Sequence, residues 1–225
     1  YNIMGSYNSL RGLYNKYGDY DTALAYSDSL IKFANQIDDI ANVIEANLSK
    51  SSTFGYINKV EEQFKLIQEA DRKYIEYNRL IPETNERIIQ YKLRYYLEYN
   101  IEKFDSIYNS IPEEIIFPWG TDRIDRILAE KYFRELEYNK CLDTYKNITA
   151  YGSEKFRIAL CYLRTGKLSK AKELITEDLI FKTMIGSKKG GTGYWEAIRY
   201  FKEVGDMEEE YKKYLIMSYN NLVKK

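Results

Sequence analysis

The chain has 225 residues and a formal net charge of +0, from 34 basic and 34 acidic side chains. That balance gives no global attraction to nucleic acid or to an anionic membrane. It contains no histidine, which excludes Ser/His/Asp and Cys/His catalysis, histidine metal sites and histidine pH switches together. With 3 prolines and 24 tyrosines, the composition suits long helices whose seams hold rings with one wet edge.

The first predicted pair of helices carries the sharpest local signal. Leu10 and Tyr14 lie on one helical face, Gly18 suits a left-handed cap, Asp19 can accept from the free N–H groups of the next helix, and Ala23 allows close helix approach. The run Tyr14-Asn-Lys-Tyr-Gly18-Asp19-Tyr20-Asp-Thr-Ala23 resembles the signature of the tetratricopeptide repeat. The second helix continues through Tyr26, Leu30, Ile31 and Ala34 to Ile37-Asp38-Asp39. There the resemblance is to longer repeats of this type, common in bacterial signalling proteins and kinesin light chains.

Five further copies follow. Gly55-Tyr56-Ile57-Asn58 marks a second turn, with Val60 in place of the close-packing alanine and Phe64, Ile67 and Tyr74 continuing at helical spacing. Tyr99-Asn100 marks a third, with Phe104 in the alanine position; Leu136-Glu-Tyr138 with Cys141 a fourth; Gly166 with Ala171 a fifth; and Gly205-Asp206 a sixth. The spacing of these turns averages about 37 residues, close to the roughly 34-residue helical repeat. The resemblance implies an all-α fold, a right-handed α-α superhelix of about six helix pairs, closed by a capping helix from Met207 to Val223. One domain over residues 1–225 is expected, with a possible subdivision near 112–120 into residues 1–111 and 121–225.

Both cysteines, Cys141 and Cys161, fall at small buried positions and read as reduced core thiols. Two connections interrupt the pattern: Ile111 to Gly120, containing Pro118-Trp119-Gly120, and the glycine-rich Gly186–Gly193. The second lacks the lysine of a phosphate-binding Walker loop and reads as a linker. Trp119 and Trp195 either plug gaps between helices or anchor a partner. Carboxylate runs such as Glu208-Glu209-Glu210 read as solvated faces rather than catalytic pairs.

In tetratricopeptide proteins the first helix of each pair lines the concave, ligand-binding surface. The resemblance therefore implies partner contacts at Asn8 and Asn15 in the first copy, Arg123, Arg126 and Arg134 in the fourth, Arg164 in the fifth, and Trp195, Arg199 and Lys202 in the sixth. Arginines in such a groove would favour an acidic peptide or a carboxylate terminus. The alternative is that they are solvated or paired with glutamates such as Glu130 and Glu196. The Lys/Asn clamp of the chaperone-binding members is not expected, because Asn8 and Gly12 occupy its first two positions.

The expected function is a scaffold or adaptor that binds a protein or peptide, with no catalytic residues, cofactor or metal, no direct nucleic-acid contact and no membrane insertion. The competing expectations are a ligand- or peptide-sensing domain of a bacterial signalling or transcription regulator and, more remotely, an α-helical enzyme. Because the chain opens at Tyr1 in mid-pattern, a fragment or processed form is expected. Its expected location is cytoplasmic, with a removed secretory or lipoprotein signal as the alternative.

Overall fold

A computed structural model describes residues 3–77, 82–111, 122–146, 148–150, 152–176, 179, 193–205, 209, 212–213 and 216. Among them are eleven α-helices and no strand. The connection through Pro118 and Trp119, the linker residues 186–192 and most of the expected capping helix lie outside the described residues. The chain divides into two compact units, Tyr1–Thr121 and Asp122–Lys225.

The N-terminal unit contains α1 (Ile3–Tyr17), α2 (Tyr20–Gln36), α3 (Ile40–Tyr56), α4 (Val60–Glu76), α5 (Pro82–Tyr99) and α6 (Ile101–Asn109). Each helix packs on the next, and the alternate helices α1, α3 and α5 also touch in sequence. The C-terminal unit contains α7 (Asp122–Arg134), α8 (Tyr138–Tyr145), α9 (Ser153–Arg164), α10 (Leu168–Leu174) and α11 (Gly193–Val204). Here α7 packs on α8, α8 on α9, and α9 on both α10 and α11.

The turns explain why the helices stop where they do. Gly18, Asp38, Asn58, Leu136 and Gly166 all have positive φ, and each donates its N–H to the carbonyl three residues back. The following residue donates to the carbonyl five back: Asp19 to Tyr14, Asp39 to Ala34, Lys59 to Phe54, Glu137 to Tyr132 and Lys167 to Tyr162. This is the Schellman arrangement, which satisfies the last carbonyls of one helix while turning the chain into the next. Asp19 and Asp39 then cap α2 and α3 by accepting from the backbone N–H of Thr22 and Asn42, each at 3.1 Å. Asp19→Ala is expected to destabilise the N-terminal unit by about 1 kcal/mol, read as a lower urea midpoint at unchanged m-value.

Two turns depart from the sequence reading. In the second copy the left-handed residue is Asn58, while Gly55 remains inside α3. The position that holds Ala23, Cys141 and Ala171 in other copies is filled by Gln63 rather than Val60, since each of these donates its N–H to the residue capping its helix. Gly55 compensates across the seam: a Cβ there would meet the Gln63 side chain at 3.1 Å. The small residue required for close approach has moved to the facing helix. In the third copy there is no left-handed residue. Asn100, with φ −161, joins α5 directly to α6 and accepts from the Lys103 N–H at 3.0 Å.

The N-terminal core gathers Ile44, Leu48, Ile67, Ala70 and Ile88, with Tyr74, Tyr91 and Tyr95 packed around it. Phe104 on α6 is also completely buried. The C-terminal unit has two adjoining clusters. One contains Ala129, Cys141, Tyr145, Ile158 and Cys161, and the other Phe156, Leu160, Ala171, Ala197, Tyr200 and Phe201. Both cysteines are free and buried. A hydrogen bond with Cys141, reinforced by burial, holds the Cys161 thiol well above the usual thiol range.

Candidate functional site

The faces of α1, α3 and α5 are joined by a seam of polar side chains. Arg11 donates through Nε to Asn8 Oδ1 at 3.1 Å and through Nη1 to the Ser49 carbonyl at 3.5 Å. Asn15 Nδ2 donates to Thr53 Oγ1 at 3.0 Å, Ser52 Oγ to Tyr91 Oη at 3.3 Å, and Arg87 pairs with Glu45. Burial lowers the Arg11 pKa, and the nearby Tyr91 and Glu45 oppose that shift. Of the predicted contact residues, Asn15 thus links α1 to α3 directly, while Asn8 holds, within α1, the Arg11 side chain that reaches α3. These links span 38, 38, 39 and 42 residues of sequence, so the same face of each alternate helix is used at a near-constant period.

The C-terminal unit repeats this arrangement with charges. Arg157 on α9 is buried and donates through Nη2 to Glu196 Oε1 on α11 at 3.0 Å. Its Nη1 lies 3.6 Å from Glu130 Oε2 on α7 and donates to Tyr145 Oη at 3.4 Å. The guanidinium also lies over the Phe133 ring, 5.8 Å from its centroid. Burial by itself would lower the Arg157 pKa, but Glu130, Tyr145 and Glu196 outweigh it and the net shift is upward. Burial raises the Tyr145 phenol as well, against the opposing pull of Arg157.

Beside this network the surface opens into a depression of about 660 Å³, lined by Phe133, Arg134, Leu136, Tyr138, Leu160, Arg164, Arg199, Lys202 and Glu203. Four of the nine predicted contact residues come together here: Arg134, Arg164, Arg199 and Lys202. Their helices place them from three directions, with Arg134 at the end of α7, Arg164 at the end of α9, and Arg199 and Lys202 one turn apart on α11. The floor is apolar. Leu160 is buried, and the Phe133 and Tyr138 rings meet edge-on with centroids 6.1 Å apart.

Two of the four cations are partly neutralised inside the protein. Arg134 donates to Glu130 Oε1 at 2.8 Å, and Arg164 to Glu203 Oε1 at 2.6 Å. Among the described residues no carboxylate pairs with Arg199 or Lys202, and Arg199 and Lys202 are exposed. Glu130 bridges the buried and exposed layers, since one oxygen holds Arg134 and the other faces Arg157. The buried network therefore positions one wall of the depression.

The remaining predicted residues lie elsewhere. Arg126 pairs with Glu154 and donates to the Thr149 carbonyl at 2.6 Å, fastening α7 to the start of α9. Arg123 is exposed on the first turn of α7 and is not part of the depression. The Trp195 backbone lies in α11, while its side chain lies outside the described residues. The sequence pattern singled out none of Phe133, Leu160 and Glu203, and marked Leu136 and Tyr138 as turn residues alone. The available signal was a leucine in a turn register that Gly18 and Gly166 fill elsewhere.

No group of three or more metal-ligating side chains occurs among the described residues, and no described helix is long and apolar enough to cross a membrane. No protein-family model matches the chain, and no curated protein matches it at a significant level.

Proposed function

We propose that this chain is a tetratricopeptide-like scaffold that binds a protein or peptide segment, and that the basic depression of the C-terminal unit holds an acidic part of that partner. The repeat reading is supported by the recurring Schellman turns and by the side-chain links between alternate helices at 38 to 42 residues. Helix pairs that cannot bury their apolar faces alone become stable by stacking on their neighbours.

The observation that carries the binding proposal is the convergence of Arg134, Arg164, Arg199 and Lys202 above an apolar floor, with a single carboxylate, Glu203, in the lining. Arginine and lysine in a shallow hollow attract carboxylates, and the adjoining rings and Leu160 supply area that excludes water from the contact. Internal pairing with Glu130 and Glu203 narrows the attraction to the α11 side, where Arg199 and Lys202 stand.

The test is a binding titration with a labelled acidic peptide at several salt concentrations. Arg199→Glu combined with Lys202→Glu is expected to weaken binding about tenfold or more and to flatten its salt dependence, without changing helicity. Arg126→Glu is expected to behave differently. It places a second carboxylate against Glu154, destabilising the fold by about 1–3 kcal/mol while leaving the affinity of the folded fraction unchanged. Unaltered binding in the Arg199/Lys202 double variant would refute the basic site.

A further inference from the structure

Leu136 is the unusual residue of this molecule. Its φ is 63, in the left-handed region, where the matching turns place Gly18, Asp38, Asn58 and Gly166. Glycine reaches that region without strain, and asparagine and aspartate tolerate it. A leucine Cβ crowds its neighbouring backbone carbonyl there. The strain is not offset by burial, because Leu136 is 68% exposed. It stands on the ridge between the basic depression and a second hollow of about 610 Å³ that also includes Tyr138 and Arg164. A turn with a purely structural role would be served better by glycine, as at Gly166 in the next copy. Strain and apolar exposure at one residue, on the rim of a charged hollow, point to selection for contact with something outside the chain.

We propose that Leu136 is the specificity element of this site, selecting, among acidic peptide segments, those that carry a large aliphatic or aromatic side chain. The proposal rests on the reading of the depression as an acidic-peptide site. Arg199 and Lys202 supply charge complementarity to the segment's carboxylates, and Leu136 forms the raised apolar edge of the Phe133–Tyr138–Leu160 floor. An apolar side chain seated against that edge removes Leu136 from water, which a wholly polar acidic segment cannot do.

The experiment compares two synthetic probes on the full chain: acetyl-Glu-Asp-Leu-Glu-Asp-amide and the same peptide with serine in place of leucine. The native protein is expected to bind the leucine probe about fivefold or more tightly than the serine probe. In Leu136→Gly that preference is expected to fall to about twofold or less, while the serine probe keeps its native affinity and the melting temperature rises by about 2–4 °C from relief of the strained turn. Leu136→Met, which retains an apolar side chain, is expected to keep most of the preference. Equal binding of both probes to the native chain, or a preference that survives Leu136→Gly, overturns the role of Leu136 and leaves the basic site standing. Failure of both probes to bind the native chain at low salt overturns the acidic-peptide reading and this inference with it.

Discussion

Arg157→Ala is expected to destabilise the C-terminal unit by about 3–5 kcal/mol, measured by urea unfolding of the full chain. Arg157 is 7% exposed and Glu196 8% exposed. Removing the guanidinium therefore strands a carboxylate in a site too dry to solvate it, and leaves Glu130 and the Tyr145 hydroxyl without a shared donor. The same substitution opens a gap beside Phe133, whose ring the guanidinium covers. Arg157→Lys should recover little of the loss. A single ammonium cannot reach Glu196, Glu130 and Tyr145 with the planar fork that arginine presents to them.

The buried pair nevertheless contributes less than its deletion suggests. Arg157 Nε and Glu196 Oε2 are both buried and have no hydrogen-bond partner among the described residues, so the network is incompletely satisfied. Exchanging both members for leucine should restore most of the stability lost in the single variant, because two desolvated charges are removed together. What the double variant should lack is the fixed placement of Glu130, and through it of Arg134 on the wall of the depression. A single variant that loses less than about 1 kcal/mol would show that the network is open to water.

Phe104→Ala is expected to have an effect of similar size, about 3–5 kcal/mol, confined to the N-terminal unit. Phe104 is wholly buried and stacks on Tyr108 with ring centroids 6.2 Å apart. It occupies the turn position that Ala23, Cys141 and Ala171 fill in other copies, as its backbone bond to the capping Asn100 shows. Where those small residues let two helices close up, the α5–α6 corner is spaced by a ring. Alanine at 104 would leave a void too large to collapse without moving α6. Global unfolding with one transition for each unit would show the first transition shifted and the second unchanged.

Phe104 also shows how far the sequence can be read. The helices were legible because their apolar spacing and their Gly/Asp turns act locally: Gly18-Asp19 specifies a left-handed residue followed by a cap whatever surrounds it. The second turn was legible only to within the run Gly55–Asn58, because Gly55 signals a helix end in isolation whereas the left-handed residue is Asn58. In the folded chain the missing side chain of Gly55 is used against Gln63 on the facing helix. That is a tertiary requirement, invisible to any local pattern.

The candidate site divides in the same manner. The tetratricopeptide resemblance marked Arg134, Arg164, Arg199 and Lys202 by their helical periodicity along the first helices of successive copies, and the depression gathers those four. Asn8, Asn15 and Arg126 share that periodicity, yet each is engaged inside the protein: Asn8 by Arg11 of its own helix, Asn15 by Thr53 on α3, Arg126 by Glu154 on α9. Which polar residue on a face remains available depends on what lies opposite it at the next repeat, and spacing within one helix does not contain that information. Leu136 was readable only as an anomaly, a leucine where the register calls for glycine, until the structure showed its exposure and its place on the rim.

The most direct test of the account is a residue-resolved map of where an acidic peptide binds. Backbone amide NMR of the isotope-labelled chain, titrated with the leucine-bearing acidic probe, locates the contact without relying on any substitution. Saturable shifts are expected to centre on Leu136, Leu160, Arg164, Arg199 and Lys202, with the polar seam of Asn15, Thr53 and Arg87 unmoved. Shifts centred on that seam, or spread evenly over exposed lysines and arginines, would contradict it.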